Sequence, residues 1–326
     1  FIKRNKINTE LLKYFKEITS SFDFKYTAHA DDFLSTLFLS FTRPILIFPS
    51  MNPNMYSNAA TQANIATLRQ RGLNVIEPEA GTVVCGAKGK GRLPAWETCL
   101  FHIKKALWPK RLAGKKVLIS AGPTREPIDP VRFISNRSSG KMGYKLAEAA
   151  ALRGAEVHLV TGPVALDAMP EVNLHRVETA EEMAKAIFSL ADNMDIIIMA
   201  AAVSDYSPAK RHTHKLKKSE EKLSLELVRT TDILAQIGHN KTDRLVLVGF
   251  CAESHDLEKN AFSKLEKKNL DLIVANDITL PGAGFDVETN KVLIIDREEN
   301  VEELPLMHKA LVSEHILDKI QELMDI

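Results

Sequence analysis

The sequence predicts an α/β protein whose larger part is built on a parallel sheet. Short apolar runs recur at Lys116–Ser120, Glu156–Thr161, Asp195–Ala200, Leu245–Phe250 and Leu270–Ala275, mostly with helix-like stretches between them. The runs are near-continuously apolar rather than alternating, as strands covered on both faces must be. The chain's 326 residues also exceed what one core ordinarily serves, so two domains are expected, each with its own core.

Taken in order, residues 1–25 are polar and charged and carry no recognisable chemistry. Ala30–Ser40 reads as a buried helix and Pro44–Phe48 as a short buried strand. Ala59–Arg71 reads as a helix ended by Gly72, with a strand at Leu73–Ile76. A further helix runs from Trp96 to about Leu107. In Trp108–Lys115 (WPKRLAGK), Pro and Gly interrupt both periodicities, which places the domain boundary there. The domains expected are 1–107, a linker 108–115, and 116–326. Parallel sheets bind ligands beyond the carboxyl ends of their strands. The polar tips there, Ala121–Arg125, Ala201–Tyr206, Cys251–Ser254 and Asn276–Asp277, are expected to converge on one crevice.

Composition excludes several classes. With 43 basic and 42 acidic residues, the near-balanced charge argues against nucleic-acid binding. No apolar stretch approaches the roughly 20 residues of a membrane helix. Cys85, Cys99 and Cys251 are too few and too scattered for a disulfide framework or a zinc site, which points to a cytoplasmic protein with reduced thiols. Cys99 and Cys251 read as small buried hydrophobes. Because the chain starts at Phe1 rather than Met, further residues are expected upstream.

The most informative segment is Gly122–Gly143, GPTREPIDPVRFISNRSSGKMG, between the strand at Lys116–Ser120 and the helix at Tyr144–Arg153. A loop of that length inside a domain is usually functional, and this one shows no packing purpose of its own. Gly140 and Gly143 are expected to let the backbone approach a ligand, with a helix N-terminus behind them to receive an anion. Arg125, Arg132, Arg137 and Lys141 add positive charge suited to phosphate or carboxylate. The dinucleotide fingerprint is broken, since Ser138 stands where its first Gly belongs, so a nicotinamide-dependent oxidoreductase fits poorly.

With the motifs MAAAVSDY (199–206), KLKK (215–218), TDIL (231–234), VGFCAE (248–253) and KLEKKNLDLIVAND (264–277), this loop resembles phosphopantothenate–cysteine ligase over residues 112 to about 320. Upstream, FPSMNPNMY (48–56) and GTVVCGAKGKGR (81–92) resemble the second portion of the flavin-dependent phosphopantothenoylcysteine decarboxylase. Ser50 stands where that family's signature usually has Ala, and His29 lies in a context unlike its catalytic His. The resemblance implies a Rossmann-like ligase domain preceded by a partial, flavodoxin-like flavoprotein domain. Those two domains are the halves of a bifunctional enzyme of coenzyme A biosynthesis. FMN is the cofactor of the complete decarboxylase. Here, where the family's opening strand, phosphate loop and His are not seen, neither flavin nor decarboxylation is expected. Apolar surface at Phe33–Phe41 and Pro44–Phe48 is expected to be uncovered and to favour self-association.

The reaction that the resemblance implies joins 4′-phosphopantothenate to cysteine at the expense of CTP, through an acyl-cytidylate and with Mg²⁺. Such steps need cationic clamps and amide donors more than a strong base. The resemblance gives Asn136 contact with the acyl-cytidylate, and an Asn amide can hold an acyl oxygen without carrying charge. It has Arg132 grip a phosphate and Lys215 reach the triphosphate from a mobile flap. Arg132, Asn136, Gly140 and Lys141 are implied for phosphopantothenate. Ala200, Ala201, Asp205, Lys215, Thr231, Asp232, Ile233, Leu234, Phe250, Lys264 and Lys268 are implied for the nucleotide, with Asp205 also holding the metal. Lys264 and Lys268 lie four apart, so their like charges are mildly unfavourable unless an anion sits between them. Asn52 and Cys85 match catalytic positions of the decarboxylase. A homodimer through the ligase domain, with no nucleic-acid or membrane partner, completes the expectation. The competing class is a flavoprotein-like regulatory module without catalysis, which the ligase loop and lysines argue against for residues 112 onward and which stays open for residues 1–107.

Overall fold

The computed structural model describes residues 33–83, 86–216, 224–253, 256–277, 280, 282, 284 and 286–325. The chain divides into two compact units, Phe1–Leu107 and Trp108–Ile326.

In the first unit, α1 (Phe33–Ser40) precedes β1 (Leu46–Ile47), which pairs in parallel with β2 (Asn74–Val75). Between them lie α2 (Pro53–Ser57) and α3 (Ala59–Gln70). Asn52 caps α2 by accepting from the Asn54 N–H at 2.9 Å, and Asn58 caps α3 through Ala60. Ile47, Tyr56, Ile65, Leu68 and Val75 form the core. Ile47 and Phe48 are therefore buried, contrary to the expectation of uncovered surface at Pro44–Phe48, because α3 and β2 return over the strand. Phe33, Leu37 and Phe41 are exposed.

The Gly-rich stretch is a hairpin of β3 (Glu79–Thr82) and β4 (Lys88–Arg92), followed by α4 (Trp96–Leu107). A Cβ on Gly91 would sit 2.2 Å from the Met51 carbonyl oxygen, so this hairpin lies directly on the chain before Asn52. Glu77 fastens it by accepting from Lys90 (2.9 Å) while also holding Arg69 (2.5 Å) and the Tyr56 hydroxyl (2.8 Å). Those bonds, Arg69's first, hold the Glu77 carboxyl down to about 2. The folded value lies below the unfolded one of about 4.3, so this contribution is complete above that pH and is lost as pH falls through about 2. Amide protection factors along β4, taken relative to the intrinsic exchange rate at each pH, should accordingly hold down to about pH 4 and fall toward pH 2. Unchanged exchange at neutral pH in a Glu77→Gln variant would count against this fastening.

The second unit is an eight-stranded sheet. Its strands are β5 (Lys116–Ala121), β8 (Glu156–Thr161), β9 (Val172–Arg176), β10 (Ile196–Met199), β13 (Val246–Glu253), β14 (Leu272–Asp277), β15 (Thr289–Asp296) and β16 (Val301–His308). They run in the order β16-β15-β14-β13-β10-β5-β8-β9. Val117, Leu118, Ile119, Ile196, Ile197 and Ile198 are fully buried, as expected for strands covered on both faces. On one face α6 (Ala180–Ala191), α7 (Ile233–His239) and α8 (Leu257–Lys267) pack Met183, Ile187, Ile237 and Leu265 against Leu118, Ile197 and Leu247. On the other, α5 (Lys141–Leu152) packs on β5 and β8 and against α9 (Lys309–Leu323).

The sheet is mixed rather than wholly parallel, because β15 and β16 join it antiparallel to their neighbours. In β16 only Leu304 is buried, and Pro305 is tolerated because the strand is an edge. The 122–143 segment also differs from expectation. It holds a hairpin, β6 (Arg125–Pro127) with β7 (Phe133–Ser135), and it does pack. Thr124, Glu126 and Asp129 are buried, and Glu126 accepts from the Ala180 N–H at the start of α6 at 2.9 Å. A second hairpin joins β11 (Tyr206–Pro208) to β12 (Leu227–Arg229).

Candidate functional site

A cavity of about 710 Å³ opens at the carboxyl ends of β10, β13 and β14. Asn136, Gly140, Lys141, Ala200, Ala201, Asp205, Thr231, Asp232, Ile233, Leu234, Phe250, Lys264 and Lys268 line it. Three of the four expected tips contribute residues, while Ala121–Arg125 lies behind the wall, bridged through Pro123 to Ala202.

Gly140, at φ +75°, begins α5, whose first free N–H groups border the cavity. A Cβ on Gly143 would lie 2.5 Å from the Ala121 Cβ and 3.0 Å from the Ser120 carbonyl oxygen. That glycine therefore serves the seating of α5 on β5, and it lines the cavity as well. The Asn136 amide nitrogen donates to Val203 O at 3.0 Å and Ala202 O at 3.4 Å. Lys141 Nζ donates to Asp286 O (2.9 Å) and pairs with Glu288 (2.6 Å), holding that carboxyl below its ordinary range.

The two lysines expected on the triphosphate arrive with partners of their own. Lys264 pairs with Glu253 at 2.6 Å, and Lys268 pairs with Asp232 at 3.0 Å. Their like charges thus need no anion between them, and the spacing argument loses its force. An entering phosphate would share or displace these carboxylates. Cys251 lines the same wall, its thiol pushed up to about 11 by burial, so it behaves as a small hydrophobe.

Arg132 and Lys215 are not among the lining residues. Arg132 grips the fully buried Asp129 carboxylate through Nε (3.0 Å) and Nη2 (2.5 Å), and holds it well below the usual carboxylate range. The same pair takes both backbone groups of Leu216. Asp129 Oδ2 accepts from its N–H at 3.1 Å, and Arg132 Nη2 donates to its carbonyl at 3.1 Å. The pair therefore anchors the segment carrying Lys215, which is itself exposed. Lys217 and Lys218 lie outside the described residues, as does Cys85. Asn52 belongs to the first unit, where it caps α2.

Arg229, Thr230, Asn290 and Lys309 are polar lining residues that escaped sequence reading. Lys309 is 3% exposed and donates to Gly284 O (2.9 Å) and Val287 O (2.6 Å). Burial, with Lys141 nearby, pushes its pKa down. Its signal would have been a lysine opening a helix at the mouth of a parallel sheet. Among the described residues no cluster of three or more His, Cys, Asp or Glu could hold a metal. Asp205 is an exposed lining carboxylate, which suits Mg²⁺ carried in on nucleotide phosphates with one protein carboxylate. No helix of the described residues is long and apolar enough to cross a membrane.

Residues 112–324 match the DNA/pantothenate metabolism flavoprotein C-terminal domain, and residues 30–107 match the family described as Flavoprotein. The coenzyme A biosynthesis bifunctional protein CoaBC of Bacillus subtilis (strain 168) is 47% identical over 299 residues, 90% of this chain and 73% of that protein. The chain belongs to the coenzyme A biosynthesis bifunctional protein family. The crystal structure of the C-terminal domain of a CoaBC protein aligns at 42% identity and TM-score 0.57, over 66% of this chain and 98% of that one. A Cab2 mutant in complex with phosphopantothenate-cysteine shares the fold at 18% identity and TM-score 0.53, over 71% of this chain and 96% of its own. The likeness to the family thus spans both units.

Proposed function

We propose that the second unit ligates cysteine to 4′-phosphopantothenate using CTP, giving phosphopantothenoylcysteine. Membership of the family gives the chain a role in coenzyme A biosynthesis. The observation that carries the finer reading is one cavity ringed by Lys141, Lys264, Lys268 and the Asn136 amide at the open end of a parallel sheet.

In the first step a phosphopantothenate carboxylate oxygen attacks the α-phosphorus of CTP. The α–β bridging bond breaks, and pyrophosphate leaves. In the second, the neutral cysteine amine attacks the acyl carbon, the acyl C–O bond breaks, CMP leaves, and the nitrogen gives up its extra proton to solvent. Both steps build negative charge on phosphoryl and acyl oxygens, which fixed cations and N–H donors stabilise without proton transfer. Lys264 and Lys268 hold the triphosphate, with Lys215 reaching in from its anchored segment. Asp205 holds Mg²⁺ or the nucleotide, and Phe250 packs on the nucleotide. Gly140 and Lys141 hold phosphopantothenate, and Asn136 holds the acyl-cytidylate. Arg132 holds the flap's root through Nε and Nη2, which leaves Nη1 for a phosphate.

The hairpins of the second unit expose Val131, Phe133, Tyr206, Leu227 and Val228, an apolar surface that supports a homodimer through this unit. FMN is the cofactor of the family's complete flavoprotein domain, and for the first unit of this chain, which matches that family over residues 30–107, we propose neither flavin binding nor decarboxylation. A cytoplasmic location follows from the reaction class.

The test is pyrophosphate release that requires both CTP and phosphopantothenate. A nicotinamide oxidoreductase or a non-catalytic module would release none. Asn136→Asp should spare formation of the activated acid relative to the amide, since a carboxylate repels the acyl oxygen. Quenched reactions of that variant should therefore accumulate acyl-cytidylate. Wild-type output of phosphopantothenoylcysteine would remove Asn136 from its assigned role.

A further inference from the structure

We propose that Thr124 is a positioning residue for the ligation site. Its hydroxyl sets the backbone of the loop after β10, against which Asn136 closes from the opposite side. The inference rests on the ligation reading for its consequence and on geometry alone for its mechanism.

Beyond the ends of β5 and β10 the two chains remain paired. Ser120 faces Met199 within the sheet, and Pro123 faces Ala202 outside it, in the same parallel register. The ladder there alternates between backbone and side-chain acceptors. Ala201 N–H donates to Ser120 Oγ at 3.1 Å, Ala202 N–H to Gly122 O at 2.9 Å, and Ser204 N–H to Thr124 Oγ1 at 3.0 Å. Thr124 is fully buried and Ser204 nearly so, so that last N–H has no water to turn to.

Thr124 also joins this ladder to Asn136. Its carbonyl accepts from Ser135 Oγ at 2.7 Å, one residue before Asn136. Asn136 in turn donates to Ala202 O and Val203 O. Thr230 closes the far side, its hydroxyl donating to Ser204 O at 2.6 Å and its N–H to Asp205 O at 3.0 Å. Residues 202–204 are thus gripped by Thr124, Asn136 and Thr230, and the Asp205 carboxylate projects from the end of the grip. Thr124 itself does not line the cavity. Its effect on chemistry must pass through the loop, which separates it from a residue that touches substrate.

Thr124→Val keeps the shape and removes the acceptor, whereas Thr124→Ser keeps the acceptor. In Thr124→Val the Ser204 amide should exchange with solvent at least about tenfold faster, while β5 and β10 amides stay at wild-type rates. Turnover should fall by about tenfold or more, because small displacements of a positioned group are costly, with KM for cysteine changing much less than kcat. Thr124→Ser should restore both readouts to within about twofold. A double variant with Asn136→Ala should be no slower than Asn136→Ala alone, since both changes release the same loop. Wild-type exchange at Ser204 in Thr124→Val, or losses that multiply in the double variant, would overturn the proposal. If Thr124→Val does not fold, Thr124→Cys, of similar size and weaker as an acceptor, takes its place under the same criteria. A wild-type protein that releases no pyrophosphate would instead defeat the ligation reading, while the exchange at Ser204 still decides the role of Thr124.

Discussion

Lys215→Gln is expected to lower ligation turnover about a hundredfold and to leave the melting temperature where it was. The size follows from removing one fixed charge that meets the transition state, an effect on the order of 100-fold to 1,000-fold elsewhere. The absence of a stability effect follows from position. Lys215 is exposed, and the segment is fastened next door through both backbone groups of Leu216, not through this side chain. Glutamine stays polar, is one atom shorter and loses the charge. Steady-state pyrophosphate release beside a thermal melt measures both. A matching drop in stability would assign Lys215 a structural role, and unaltered turnover would take it out of the triphosphate site.

Gly143→Ala is expected to destabilise the second unit by about 2 kcal/mol and to weaken nucleotide-dependent turnover together with it. Alanine is ordinarily the better helix former by about 1 kcal/mol, so propensity alone predicts the opposite sign. Packing overrides it. The added carbon would sit 2.5 Å from the Ala121 Cβ and 3.0 Å from the Ser120 carbonyl oxygen, and neither neighbour can rotate aside. The first turn of α5 must lift from β5, carrying with it Gly140 and Lys141 at the cavity wall. Denaturant unfolding of the variant beside its kinetics tests this. A stability equal to or above wild type would mean that the turn relaxes at no cost and that the glycine is there for the ligand after all.

Both outcomes turn on what can and cannot be seen in a linear chain. The interior strands β5, β8, β10, β13 and β14 were legible to within a few residues at either end. A strand covered on both faces must be apolar throughout, so its signature is local. Helix α5 and the turn at Gly72 were legible for the same kind of reason, being set by periodicity and a single φ. The β9 and β16 edges and the short hairpins were not. Their residues are half polar, and each becomes a strand only through a partner brought up by the rest of the fold.

The site divides along the same line. That Asn136, Asp205, Lys264 and Lys268 belong together could be inferred from motifs in sequence order. By itself the sequence determined the sheet's interior, the sites of its ligand-facing tips and the chemistry those residue types can perform. Only the tertiary structure decided that Arg132 is engaged with a buried Asp129, that Lys264 and Lys268 each have their own carboxylate, and that Lys309 lines the cavity while Thr124 stands behind it. A side chain's charge and shape are written at its own position. Its partner, and therefore what it is free to do, is set by distances between residues far apart in the chain.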